Sequence, residues 1–315
     1  MTVGISMHNG LEAIVVADAK VSMGFRESDR WQKVGAFEHE TFHGVLYGAG
    51  NGEFLSRVLE NLPEPGSGQK FFIESYVKQI ESMLHDYRKD AVEQVAKDAS
   101  ERIMLRAEAI PIIETRQKYI ETETSKALKE AEDCMNTVQT GIIVVAYDKS
   151  KSKIRQFQVS ASGAHESTDS NLPIGSGSDA SQLYFAKKLQ GLDTNKLGLS
   201  DLMFFGANAY SDAQLNHGVG GTPSIVRINE EGVSLLGRDK VCAIVNLSAA
   251  YMTEYDHTLT LNRTRQLVAS VMSGSPDYVT IAKKLDLNVE ALTTTAIPYS
   301  AWQARANARH FNGNH

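Results

Sequence analysis

Apolar and polar positions divide the chain into blocks with different periods. Val3–Met7 and Ala13–Ala17 are short, nearly continuous apolar runs separated by Asn9-Gly10. Runs of this kind suit buried strands, and Asn-Gly between two of them is a strong hairpin signal. Another strand is predicted to start at Lys33-Val34, and a third covers Gly44–Gly50, after which Gly48, Gly50 and Gly52 open a helix near Glu53. From Phe71 to about Glu132, apolar residues recur at helical spacing among dense charges, with Pro111 as an interruption. An interior proline lacks the amide donor and crowds the preceding turn, so two long helices are predicted with a break near Ile110-Pro111. Strands return at Thr140–Asp148 and Ile154–Val159, across the polar turn Lys149–Lys153. Helices are predicted from Ser178-Asp179 through Ala186 and over Leu199–Leu215, then a closing hairpin of Thr222–Ile228 and Gly232–Leu236. Beyond Ile244 the chain reads as a tail. It has helical pattern at Asn262–Met272 and Tyr278–Leu285, and a loose polar end from Arg305. Strands grouped apart from helices point to α+β layers rather than a doubly wound parallel sheet.

Composition narrows the class without naming a function. The 315 residues are 42% hydrophobic and 22% charged, as in an ordinary folded protein. Disordered, collagenous and disulfide-dense classes are excluded. With 32 basic against 38 acidic residues, the net charge is −6, which argues against nucleic acid as the main partner. Cys134 and Cys242 show neither metal-ligand spacing nor a disulfide framework. Two reduced thiols indicate a cytoplasmic protein, and no metal or organic cofactor is expected. No apolar run approaches the ~18 residues of a membrane span, and MTVGISMHNG lacks the pattern of a signal peptide.

Candidate chemistry begins at residue 2. If Met1 is removed, Thr2 carries both a hydroxyl and a free α-amino group. The hydroxyl is a weak nucleophile that needs a base, and an α-amine titrating near pH 7.7–8.0 is suited to that task. Asp18 ends an apolar strand and Lys33 opens another. Either charge alone at a buried strand end is costly, so the two are expected to pair, and the lysine would depress the amine pKa. Gly48-Ala49-Gly50 allows close approach of a backbone that could supply an oxyanion donor. Ile174-Gly175-Ser176-Gly177 does not fit the G-x-S-x-G elbow, and no histidine is placed by motif for a Ser-His-Asp hydrolase.

Taken in order, Thr2-Val3-Gly4, Asn9-Gly10, Ala17-Asp18, Gly24, Lys33-Val34, Gly48-Ala49-Gly50, Ala146-Tyr147-Asp148, Gly175-Ser176-Gly177 and Gly220-Gly221 resemble the β-subunit family of the proteasome, including bacterial relatives of the HslV type. The resemblance covers about residues 2–70 and 138–238. It implies a four-layer αββα sandwich, the N-terminal nucleophile hydrolase fold. Here that fold would occupy residues 1–244, with a helical arm inserted at about 84–133 and a C-terminal extension over 245–315. It also implies threonine-type peptidase chemistry on peptides or unfolded proteins inside a self-assembled ring or related homo-oligomer, with an ATPase unfoldase as an expected partner. By the same resemblance, Thr2 is the nucleophile, Asp18 and Lys33 tune it, Gly50 supplies the oxyanion hole, and Ser176 hydrogen-bonds near the amine. Val21 and Trp31 fall where the family lines its side-chain pocket.

The chain also departs from that family. It has one threonine where the family has two, and aligned back from Lys33, Met1 rather than Thr2 takes the nucleophile position. Asn216 and Val219 stand where the family has aspartate and serine, with Asp212 one helical turn earlier as a substitute. Two other readings stay open: a noncatalytic scaffold subunit, and an amidase or acylase on the same fold.

Overall fold

The computed structural model describes residues 3–18, 21–23, 26–28, 34–50, 52–64, 71–137, 140–216, 219–273 and 275–312. Twelve strands occur among them: β1 (Val3–His8), β2 (Ala13–Ala17), β3 (Val21–Met23), β4 (Arg26–Ser28), β5 (Val34–Glu38), β6 (Phe42–Gly50), β7 (Thr140–Asp148), β8 (Lys153–Ser160), β9 (Gly163–Ser167), β10 (Asn171–Gly175), β11 (Ser224–Asn229) and β12 (Gly232–Leu235). The first five-stranded sheet has the order β10-β1-β2-β11-β12 and the second β5-β6-β7-β8-β9, with β3-β4 a separate hairpin. All pairings within both sheets are antiparallel. The helices are α1 (Gly52–Glu60), α2 (Ile73–Glu108), α3 (Ile113–Thr137), α4 (Ser178–Lys188), α5 (Leu199–Ala213), α6 (Arg238–Met252), α7 (Leu261–Met272), α8 (Tyr278–Lys284), α9 (Val289–Thr294) and α10 (Tyr299–Asn312).

Three apolar clusters hold these elements together. One contains Ala13, Val15, Val45, Tyr47, Ile143, Val145 and Val226, drawn from both sheets. Side chains alternate across a strand, so the intervening residues serve the other faces. Val3, Ile5, Ile14 and Val16 join α4–α10, while Leu46, Ile142 and Val144 join α1 and the first turns of α2. The protein is therefore mixed helix and sheet, built on two antiparallel sheets.

At 36 residues, α2 spans roughly 54 Å. It pairs with α3 after the break at 109–112, where Pro111 stands. The polar end read as loose from Arg305 is instead helical through Asn312, because Trp302 and Ala306, four residues apart, are buried together. The edge strands β9 and β10 and helices α6, α9 and α10 were not expected from the apolar pattern.

Buried Arg155 ties α2 to the second sheet. It bonds Glu166 at 2.7 Å, Asp148 at 3.2 Å, and Glu74 of α2. The guanidinium holds the Glu166 carboxyl below its usual range. Burial alone would raise the Asp148 and Glu74 carboxyls, but hydrogen bonds from Ser150 and Arg155 to Asp148, and from Arg155 to Glu74, leave both lowered. Depressed folded-state values mean that the unfolded chain takes up protons first. The stability these groups add is complete above about pH 4.5, the unfolded carboxylate range, and is lost as pH falls through the folded values. The urea midpoint is expected to fall between about pH 4.5 and 3, and Glu166→Gln to shrink that fall. Identical pH profiles for the two proteins would remove the network from the explanation.

Candidate functional site

Asp18 directly follows β2 and is almost fully buried, 2% exposed. Its amide donates to the Val3 carbonyl at 3.0 Å, and its Oδ1 accepts the Val3 N–H at 3.1 Å. The side chain therefore extends the β1–β2 ladder by one reciprocal step, setting a carboxylate against the first described residue of β1. Asp18 and Ser176 each engage additional partners as well.

On the other side of β1, Val3 pairs with Gly175. Gly175 has φ +97°, a conformation that favours glycine. It turns the chain out of β10 into Ser176 and Gly177, and α4 begins at Ser178. A Cβ on Gly177 would stand 3.0 Å from Val3, 3.1 Å from Ala213 and 3.2 Å from Val219, so its lack of a side chain lets these segments converge. Asn216 Nδ2 donates to the Ser176 carbonyl at 3.4 Å. The buried Val219 thus faces this cluster with a methyl group.

Gly50 closes β6 opposite Thr140, and Ala49 opposite Gly141. A Cβ on Gly141 would meet Ile174, the neighbour of Gly175, at 2.9 Å. Register and packing therefore bring the Gly50 end of the second sheet to the Gly175 end of the first. Gly50 has φ +117° and is exposed. Val34 pairs with Tyr47, whose ring lies where a Cβ on Gly4 would sit. Ala17 and Val34, the sequence neighbours of Asp18 and Lys33, belong to one inter-sheet cluster.

Asp212, in the last turn of α5, has its carboxyl raised by burial, which Lys187 partly offsets. Its electrostatic neighbours also include Tyr184 and Tyr299, so it faces α4 and α10. Thr2, Trp31 and Lys33 lie outside the described residues; Val21 heads β3, whose side chains lie outside too. Among the described residues there is no group of three His, Cys, Asp or Glu side chains able to hold a metal, and no helix is long and apolar enough to cross a membrane.

The pairing of Ser176 with Asn216 and the closure of Gly177 onto Val3 were not anticipated as contacts. Only the Gly-Ser-Gly and Gly-Gly signatures hinted at them.

No family model matches the chain, and no curated protein matches it. Among solved structures, Anbu (ancestral beta-subunit) from Yersinia bercovieri is similar with a TM-score of 0.52 and 11% identity, covering 77% of this chain and 92% of that one. Anbu (Gly-1) mutant from Hyphomicrobium sp. strain MC1 matches with a TM-score of 0.43 and 13% identity, covering 75% and 85%. At 11% identity the first likeness is one of fold alone. The assignment to the proteasome β-subunit family of the HslV type is thereby corrected: the two similar structures named above are Anbu, proteasome-like but distinct. Gly4, Gly141, Gly175 and Gly177 all sit at close approaches or a positive-φ turn that this pair of sheets requires. At Gly4 and Gly177 the motif series marks close packing that this fold requires.

Proposed function

We propose that the chain is a threonine-type peptidase of the N-terminal nucleophile kind, with its helices and sheets arranged as a four-layer αββα sandwich. The observation carrying this reading is the buried Asp18 carboxylate on the Val3 amide, at the end where Gly50 and Gly175-Ser176-Gly177 converge. Residue 2 is one peptide, about 3.8 Å between Cα atoms, from Val3. Cleavage of the Met1–Thr2 bond would free the Thr2 amine, whatever precedes it. Thr2 Oγ then attacks the amide carbonyl carbon and its proton passes to the α-amine. Negative charge develops on the carbonyl oxygen, where the Gly50 N–H stabilises it. Collapse expels the amine product, which takes the proton, and leaves an ester on Thr2. Water, deprotonated by the same amine, hydrolyses the ester. Lys33 supplies the positive charge opposite Asp18 and lowers the pKa of the amine. Ser176, with its carbonyl fixed by Asn216, orients the amine. Val21 and Trp31 line the substrate pocket, and Asp212 has a supporting part at most. No cofactor enters the reaction, and the compartment is the cytoplasm.

Asp18→Asn keeps the shape of the side chain and removes its charge. We expect kcat/KM for fluorogenic peptides to fall about 10²-fold with an unchanged melting temperature. A parental rate in that variant would leave Asp18 with a structural role only.

The site works inside a homo-oligomer, with peptide or unfolded protein as substrate, delivered by an ATPase unfoldase. Support for assembly comes from the α2–α3 arm, whose tip exposes Leu105 and Ile113 at 75% and 76%, an unusual concentration of apolar surface. Leu105→Glu with Ile113→Glu is expected to lower the sedimenting mass; an unaltered mass would take the arm out of the interface. A second reading, a noncatalytic assembling subunit, is favoured by Val219, which offers no hydroxyl beside Gly177.

A further inference from the structure

Helices α8 and α10 and the turn after α6 border an open cleft of about 640 Å³, lined by Tyr255, Lys283, Lys284, Asp286, Arg305 and Arg309. Four cations meet there in a chain whose net charge is −6. The cluster is built rather than scattered. Buried Tyr255 lies against both guanidinium groups, with Arg309 Cζ 4.7 Å and Arg305 Cζ 5.5 Å from its ring centre. Arg305 also stacks on Trp302 at 4.9 Å and donates to the carbonyls of Leu285 and Asp286. Lys284 Nζ is held 3.3 Å from Thr258 Oγ1. Stacking on an aromatic face leaves the edge of a guanidinium, which carries its donors, free to bond an anion.

Two carboxylates stand against these cations. Asp286 lines the cleft. Asp256 stands beside it, where burial would raise its carboxyl but Thr258 and the charges of Arg309 and Lys284 hold it lowered. Four cations less two carboxylates leave two uncompensated positive charges. A phosphate group brings close to two negative charges at neutral pH and three strong acceptor oxygens. A carboxylate would balance half of the excess. The volume exceeds that of a bare ion and falls within the range of small-ligand sites.

We propose that this cleft binds a phosphate group, with Lys284, held by Thr258, and Arg309, stacked on Tyr255, as its principal partners. The site uses no residue of the proposed peptidase centre, and its occupancy does not depend on that chemistry.

The test is isothermal titration calorimetry of the full chain at low salt in a buffer free of phosphate, with inorganic phosphate, phenyl phosphate and acetate as probes. Phosphate binding that weakens with added salt is expected. Lys284→Gln with Arg309→Gln should weaken it at least tenfold, in a protein whose far-ultraviolet circular dichroism at the titration temperature matches the parent's. Lys118→Gln with Lys129→Gln on α3, remote from the cleft, should bind as the parent does. Tighter binding of phenyl phosphate than of inorganic phosphate would identify an organic ester as occupant, and equal binding the free ion; either supports the site. Three results would each overturn it: no heat with either phosphate, equal affinity for acetate, or parental affinity in the cleft variant.

Discussion

The Thr2→Ala variant is expected to lose peptide hydrolysis by a factor on the order of 10⁴ or more while keeping its fold and assembly state. The size of the loss follows from what one residue supplies. In the proposed mechanism Thr2 contributes the nucleophilic oxygen and, through its amine, the base for both half-reactions, so no neighbouring group can take its place. The fold is expected to survive because β1 is held from Val3 onward, by Gly175 on one side and by Asp18 and Ala17 on the other. Thr2→Ser retains the hydroxyl and should keep a measurable fraction of the rate. Parental hydrolysis by Thr2→Ala, after exclusion of a contaminating peptidase, would dismiss the mechanism.

Trp302→Ala is expected to destabilise the protein by about 3–5 kcal/mol. Trp302 is fully buried on α10, edge-on to Tyr255 at 5.0 Å between ring centres, with its Nε1 3.4 Å from the Asn246 side-chain oxygen. Asn246 in turn accepts the Ile297 N–H and donates to the Thr295 carbonyl. Removing the indole would therefore leave a cavity and weaken a buried polar knot that joins α6, α9 and α10. Trp302 shares one apolar cluster with Val3 and Ile5 of the first sheet. The loss should accordingly lower the main unfolding transition in urea. A shift confined to a small separate transition, with the main one unmoved, would show that the C-terminal helices unfold on their own.

The parts of this architecture visible in the sequence are those where a local rule and the tertiary environment agree. β1, β2, β6 and β7 are continuous apolar runs because both of their faces are covered, and Asn9-Gly10 marks the first hairpin. β10 was hidden because Pro173 lies in its middle, and proline argues against a strand. It is tolerated because β10 is an edge strand, where a missing amide costs no ladder bond. β9, Gly-Ala-His-Glu-Ser, has no apolar face to read. α6 is buried at every position from Val241 to Ala250, since its neighbours cover it from several sides, so no helical period survives. α10 looks polar because, among its described side chains, Tyr299, Trp302 and Ala306 are the three buried in the apolar cluster.

The candidate site was legible in a different way. No single residue stood out by its own chemistry. Asp18 reads in the sequence as a charge closing an apolar strand, and the structure gives it a specific partner in the Val3 amide. The contacts of Gly177 with Val3, Ala213 and Val219 join residues far apart in sequence, and no local spacing encodes them. Of the glycines that suggested a proteasome β-subunit, Gly4 leaves room for the Tyr47 ring of the other sheet, and Gly177 for Val3, Ala213 and Val219, so packing accounts for them.

The most direct test of the central claim is intact-mass spectrometry before and after a peptide epoxyketone, a reagent that closes a ring on the hydroxyl and amine of an N-terminal threonine. A nucleophile at residue 2 predicts a chain beginning at Thr2 that gains one inhibitor mass, with fragment ions locating it on Thr2 and slower labelling of Asp18→Asn. A chain whose Met1–Thr2 bond stays intact and which never reacts would contradict the account and leave the noncatalytic assembling subunit in its place.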